Sequence, residues 1–171
     1  MGFSVTYNSV LRNNYGIYRS LTKTVARSEA TDSKLSDADS SALNRSINKL
    51  RYSRYDDRKD GTDSQGYAKS YVKNMKAFMD TYNYTLESSK KSSSREIARQ
   101  VPKMKQLVGK YKDQLHKIGI SYDSDGYLKL SSSSNVTTTK RYETMFGEDS
   151  AFMKDLNHIA GNIKRHVNVS L

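Results

Sequence analysis

Two apolar seams, one directly after the other, constrain this chain more than any other feature. Ala68, Val72, Met75, Met79, Tyr82 and Leu86 recur at alternating steps of four and three residues, and so do Ile97, Val101, Met104, Val108, Tyr111, Leu115 and Ile118. That spacing keeps the side chains on one stripe of a helix and is the signature of coiled-coil packing. The connector Lys90-Lys91-Ser92-Ser93-Ser94 is short, so the two helices should return on each other as an antiparallel hairpin over residues 67–118. Val72, Met75, Met79, Tyr82, Leu86, Ile97, Val101, Met104, Val108, Tyr111 and Leu115 form the expected interaction seam. Ser93 with Glu96 reads as the capping box that opens the second helix. Pro102 lies inside that helix, where it removes an amide donor, and the unbroken apolar phase around it predicts a kink rather than an end.

The rest of the chain fits around this hairpin. A first helical block is expected over residues 8–28, with Leu11, Tyr18, Leu21 and Val25 on one face. A second opens at Ser36-Asp37-Ala38-Asp39, read as an N-terminal cap, and runs through Leu43, Ile47 and Leu50. Residues 56–66 are charged and glycine-containing with little to bury, which predicts a mobile loop between the N-terminal helices (1–60) and the hairpin. After Gly119 the period shortens to two: Ile120-Ser121-Tyr122 and Tyr127-Leu128-Lys129-Leu130 alternate around Asp125-Gly126, a β-hairpin over 119–131. C-terminal helices over 140–167 follow a Ser/Thr-rich stretch, with Glu148 at the start of the last one and Phe152, Leu156, Ile159, Ile163 and Val167 on its apolar face. The expectation is therefore mainly α: an elongated antiparallel helical bundle or coiled-coil hairpin with one small β-hairpin, in a single domain of 171 residues.

Composition sharpens this. Apolar residues make up 35 % and mean hydropathy is −0.82, so the core must be thin, of the kind that a few helices share along a seam. Thirteen Tyr against four Phe and no Trp suit such a core, because a tyrosine ring packs while its hydroxyl stays wet. Tyr15, Tyr18, Tyr52 and Tyr55 are read as core residues on that basis. The absence of Cys excludes disulfides, thiolate metal sites and a cysteine nucleophile. No stretch is apolar enough for a cleavable signal or a membrane span. Two locations fit: extracellular or cell-surface, reached by export without cleavage, and cytoplasmic.

Chemistry finds little footing. His116, His158 and His166 lack metal-ligand spacing, and neither a phosphate-binding glycine loop nor a nucleophile elbow is present. Asp123, Asp125 and Gly126 match only a fragment of a calcium loop and are explained by turn formation. The chain is read as a non-enzymatic protein without cofactors, whose partners are protein subunits, possible self-association included. The net charge of +11 supplies the alternative. Arg95, Arg99, Lys103, Lys110 and Lys117 fall within an arc of roughly 80° on a regular helix, a basic stripe that could neutralise nucleic-acid phosphates or simply be a solvated face.

Beyond these readings, the segment Val72 to Asn83, ending in Tyr82-Asn83, resembles the "Phe-Val-x-x-Tyr-Asn" helix of the flagellar filament cap, the hook-associated capping family. Leu115-His116-Lys117-Ile118-Gly119-Ile120, followed by Asp125-Gly126-Tyr127-Leu128-Lys129-Leu130, is similar to that family's "Leu-x-x-Ile-Gly-Ile … Asp-Gly-x-Leu-x-Leu" signature. Phe146 of Met145-Phe146-Gly147 stands where the family has a "Leu-Phe" element before a helix. The resemblance covers about residues 67–167 and implies a helical stalk region with a small hairpin, export without a cleaved signal, and partners among the subunits of a flagellar or related assembly. The family's β-rich head domains have no counterpart in this chain.

Overall fold

The computed structural model describes Arg27–Ser53, Ser64–Leu130 and Thr139–Val169. By its contacts the chain divides into two compact units, Met1–Thr31 and Asp32–Leu171. Of the first unit, the described residues are Arg27–Thr31, with Arg27, Ser28 and Glu29 helical. The remainder of the block expected over 8–28, Tyr15, Tyr18, Tyr55, loop residues 56–63 and the side chains of Ala68 and Val72 lie outside the described residues.

The second unit is mainly helical. Its elements are α1 (Asp32–Arg51), α2 (Ser64–Lys91), α3 (Arg95–Ala98), α4 (Gln100–Lys110), α5 (Lys112–Lys117), β1 (Ile120–Tyr122), β2 (Leu128–Leu130), α6 (Thr139–Phe146) and α7 (Ala151–Val169). Contacts run α1–α2, α2–α4, α4–α7 and α7–α1, which closes a four-helix ring. The two-helix hairpin of the sequence reading is thus completed on both sides, by α1 and by α7. Ser36 of α1 meets Ser88 of α2, and Ser46 meets Thr81, so these two helices are antiparallel. Leu43, Ile47, Phe78, Tyr82, Met104, Phe152 and Ile163 are among the side chains fully buried at the centre. Edge-on ring contacts of Phe78 with Phe146 (5.6 Å) and Phe152 (6.4 Å) tie α2 to the C-terminal helices.

Several helix ends differ from the sequence reading. α1 opens at Asp32, four residues before the expected cap, so the Ser36 box does not cap anything. Ser36 is instead fully buried and donates to the Ser88 carbonyl at 3.4 Å. α2 begins at Ser64, so Ser64, Gln65 and Gly66 are helical rather than loop. A glycine there is tolerated because first-turn amides need no intrahelical acceptor, and its cost is only about 1 kcal/mol. The cap of α3 is Ser94, not Ser93. Its extended backbone (φ −75°, ψ 119°) lets the hydroxyl accept from the Ile97 N–H, and that register buries Ile97.

The block expected as one kinked helix is three segments. Its ladder is interrupted at Arg99, just after Ala98, the carbonyl that Pro102 cannot serve, although Arg99 stays right-handed helical. The helix is distorted again at Tyr111 (φ −104°, ψ 18°), although the Tyr111 N–H still donates to the Leu107 carbonyl at 3.2 Å and the Leu115 N–H to the Tyr111 carbonyl at 2.9 Å. The last helix starts at Ala151 rather than Glu148, because the buried Ser150 hydroxyl accepts from the Met153 N–H at 3.2 Å and donates to the Met145 carbonyl. Tyr52, expected in the core, stands one residue beyond α1, is 63 % exposed and lies under the Arg51 guanidinium.

The β-hairpin forms where the alternation placed it. β1 and β2 pair antiparallel, with Ile120 opposite Leu130 and Tyr122 opposite Leu128. α5 can end abruptly into β1 because Gly119 adopts φ 78°.

Candidate functional site

The residues singled out by sequence fall into an interior group and a surface group. In the first, Met75, Met79, Tyr82, Leu86, Ile97, Met104, Val108 and Leu115 are buried, with Val101 and Tyr111 packed partly buried beside them. They face one another, α1 and α7 inside a single chain. The spacing that reads as a seam for partners is used up in the bundle's own core.

The residues that carry the motif resemblance converge on one structural knot. Asn83, near the middle of α2, turns its side-chain amide to the backbone of β2. The Leu128 N–H donates to Asn83 Oδ1 at 2.8 Å, and Asn83 Nδ2 donates to the Leu128 carbonyl at 3.0 Å. An asparagine amide can make this reciprocal pair because it carries an acceptor and a donor side by side, as a neighbouring strand would. Tyr82, the residue before it, is fully buried and donates its hydroxyl to the Met104 carbonyl at 3.3 Å. Burial there pushes the phenol well above the usual tyrosine range. Ile118, Ile120, Leu128 and Phe146 are all buried.

The turn is fastened from outside. The Asp123 carboxylate accepts from the Tyr127 N–H at 2.9 Å and the Asp125 N–H at 3.1 Å, and pairs with Lys129 at 3.1 Å. The Tyr127 amide, then the Lys129 side chain and the Asp125 amide, hold it below the ordinary carboxylate range. Asp125 meets Lys90 of α2 at 3.6 Å and Lys105 of α4 at 3.9 Å, while the Lys90 ammonium sits over the Tyr127 ring at 4.4 Å. Gly126 has φ 87°, and an added Cβ would lie 2.8 Å from Lys105 Cγ. Leu130 is the exception among the apolar motif residues, 37 % exposed at the hairpin's end.

The basic residues Arg95, Arg99, Lys103, Lys110 and Lys117 are all exposed. Lys117 lies beyond the distortion at Tyr111 and does not share a depression with Arg99 and Lys103. Arg99 and Lys103 line a depression with Glu96, Gln100 and His166, the last of these from α7. Lys117 lines a different cavity, with Lys140 and Arg141 of α6. Lys110 lies over the Tyr111 ring at 5.2 Å. Sequence reading missed His166 as a neighbour of the stripe and missed the pairing of Lys117 with Lys140-Arg141. Both arise from tertiary contact between helices far apart in sequence, and the adjacent Lys140-Arg141 pair was the only local signal.

The chain matches no protein-family model, no curated protein and no solved structure. Among the described residues, no group of three or more His, Asp or Glu side chains is placed to hold a metal ion, and no helix is long and apolar enough to cross a membrane. Among the described residues, three large side chains stand exposed outside the core: Tyr52, Tyr84 (46 % exposed) and Leu130. Tyr84 follows Asn83 on α2, and Leu130 lies two residues beyond Leu128 on β2, so both flank the knot along the chain.

Proposed function

We propose that the chain is a non-enzymatic structural protein that resembles the stalk region of flagellar capping proteins and binds subunits of a flagellar or other extracellular assembly. The observation that carries the reading is the Asn83–Leu128 pair. It joins two motif segments 45 residues apart, so the motif order behind the resemblance corresponds to a physical unit: a helix holding a small ribbon. Because the seam is buried, binding falls to the outer surface, where Tyr52 beside Arg51, Tyr84 and Leu130 are exposed. Tyr and Arg are the residue types that most often anchor protein interfaces. On this reading the chain acts at the cell surface or outside the cell.

The test is capture of filament, hook and cap subunits from the same organism by the immobilised chain. The expected result is saturable capture of at least one, weakened about tenfold or more by Tyr84→Ala or Tyr52→Ala, the loss typical of an interface anchor. Failure to capture any of them would remove the proposal.

A second reading is favoured by one observation, the grouping of exposed Arg99 and Lys103 with His166 in a single depression. On that reading the surface binds nucleic-acid phosphates. Retardation of RNA or DNA that weakens steeply with salt and is abolished by Arg95→Glu, Arg99→Glu and Lys103→Glu together would support it. An unretarded probe at low salt would end it.

A further inference from the structure

A cavity opens between Tyr111 and α5 on one side and α6 with the start of α7 on the other. The corner from α6 into α7, pinned by Ser150, forms part of its lining. The space has a volume of about 510 Å³, within the range that small-molecule sites occupy. Its floor is Tyr111, Met145 and Phe152, with Tyr111 and Phe152 in edge-on contact at 5.3 Å. Its rim carries Lys117, Lys140 and Arg141, and no acidic residue lines it.

Among the described residues, no ion pair involves Lys117 or Lys140. Two ammonium groups are thus gathered at the mouth of an apolar space that no carboxylate lines, with the Arg141 side chain beside them.

We infer that this cavity binds a small amphiphilic anion, with an aromatic or aliphatic body seated on Tyr111, Met145 and Phe152 and a carboxylate held at the rim by Lys117, Lys140 and Arg141. The chemistry follows from the two halves. A phosphate or sulfate alone would use the rim and leave the floor uncovered, whereas a neutral hydrocarbon would bring no counter-charge to Lys117 and Lys140. Only a ligand with both parts satisfies both. The occupant is a small molecule because the space is concave and of small-ligand size, whereas a protein partner would need a contact face of about 800 Å². The inference is independent of the proposed function: the cavity and the exposed residues Tyr52, Tyr84 and Leu130 share no side chain.

The test uses the full chain carrying labelled methionine methyl groups, titrated with 4-phenylbutyrate, its neutral amide and acetate, and followed by NMR. The expected result is a saturable shift of the Met145 methyl with 4-phenylbutyrate, binding about tenfold weaker or worse for the amide, as loss of a charge-assisted contact implies, and no shift with acetate. Lys117→Glu with Lys140→Glu, two exposed rim positions, should weaken the acid about tenfold or more and leave the amide unchanged. Ala151→Trp, at an exposed position on the lining, should block both ligands while the thermal transition stays put. The inference is overturned if 4-phenylbutyrate produces no saturable shift, if the amide binds as tightly as the acid, or if Ala151→Trp leaves binding intact.

Discussion

Replacing the half-buried Asn83 by alanine deletes both hydrogen bonds, of 2.8 and 3.0 Å, to Leu128, which is itself only 2 % exposed. Each lost bond is worth about 1 kcal/mol, and a buried backbone group left without a partner adds about as much again when water cannot reach it. The total comes to about 3 kcal/mol. At about 2–4 °C per kcal/mol for a chain of this size, the melting temperature should fall by roughly 6–12 °C. Asn83→Asp provides the sharper comparison. An ionised carboxylate still accepts from the Leu128 N–H but sets an oxygen against the Leu128 carbonyl, so at neutral pH it should be at least as destabilising as alanine. Below about pH 4, protonation restores a donor, and the aspartate variant should become the more stable of the two. Urea unfolding by circular dichroism at pH 7 and pH 3.5 (chosen to straddle the carboxylate range of about 4) measures both effects. The reasoning is refuted if Asn83→Ala costs less than about 0.5 kcal/mol, within the range of ordinary surface substitutions, or if the order of the two variants does not change with pH.

Other consequences follow from the same cluster. Gly126→Ala forces a side chain into φ 87° against Lys105, so it should cost about 1–2 kcal/mol, with part of the loss recovered when Lys105→Ala is added, as read by thermal melts of the single and double variants. Tyr82 has its phenol raised by burial, so its stabilisation is complete below the unfolded value near pH 10 and is lost as pH rises beyond it. Tyr82→Phe should flatten that alkaline loss in unfolding curves taken across pH 9–11 (bracketing the tyrosine value of about 10), and Tyr142, raised by the same cause, contributes with the same sign. Asp123 is shifted the other way, so the stability it lends is present above the unfolded carboxylate value near pH 4 and disappears as pH falls through its lower folded value. Asp123→Asn should shallow the acid limb of the stability profile; an unchanged limb would show that the Tyr127 amide bond is not what holds the carboxylate down.

Much of the bundle could be read from spacing because the buried positions of α2, α4 and α7 are large and apolar. Phe152, Leu156, Ile159, Ile163 and Val167 are all buried as the period requires. Pattern reading fails where burial is polar. At the far end of the α1–α2 contact, Ser36, Ser40, Thr85, Ser88 and Ser89 take core positions. Their hydroxyls are mostly turned back on helix carbonyls, as in Thr85 to Thr81 at 2.7 Å and Ser88 to Tyr84 at 3.0 Å. That internal bonding lets small polar groups enter a helix interface that hydropathy would assign to solvent. The start of α1 is hidden for the same reason: Ser36 reads as a cap by type, but its burial against Ser88 fixes it inside the helix. Gly119, Gly126 and the Asp-Gly turn were legible because backbone geometry dictates residue type there. The Asn83–Leu128 pair was not, since an asparagine on a helix carries no local sign of a strand 45 residues away. The cavity beside Lys117 was not legible either, because its lining joins residues 111–117 to residues 140–152, which only the tertiary fold brings together.

The seam faces inward, so that one chain closes its own bundle. Met75, Met79, Met104, Met145 and Met153 report on this directly, since all are 5 % exposed or less. Peroxide oxidation followed by peptide mass spectrometry, at chain concentrations too low for association, should leave these five methionines protected until global unfolding. Rapid oxidation of Met79 and Met104 in dilute chain, with protection appearing only as concentration rises, would mean that the seam belongs to an interface between molecules.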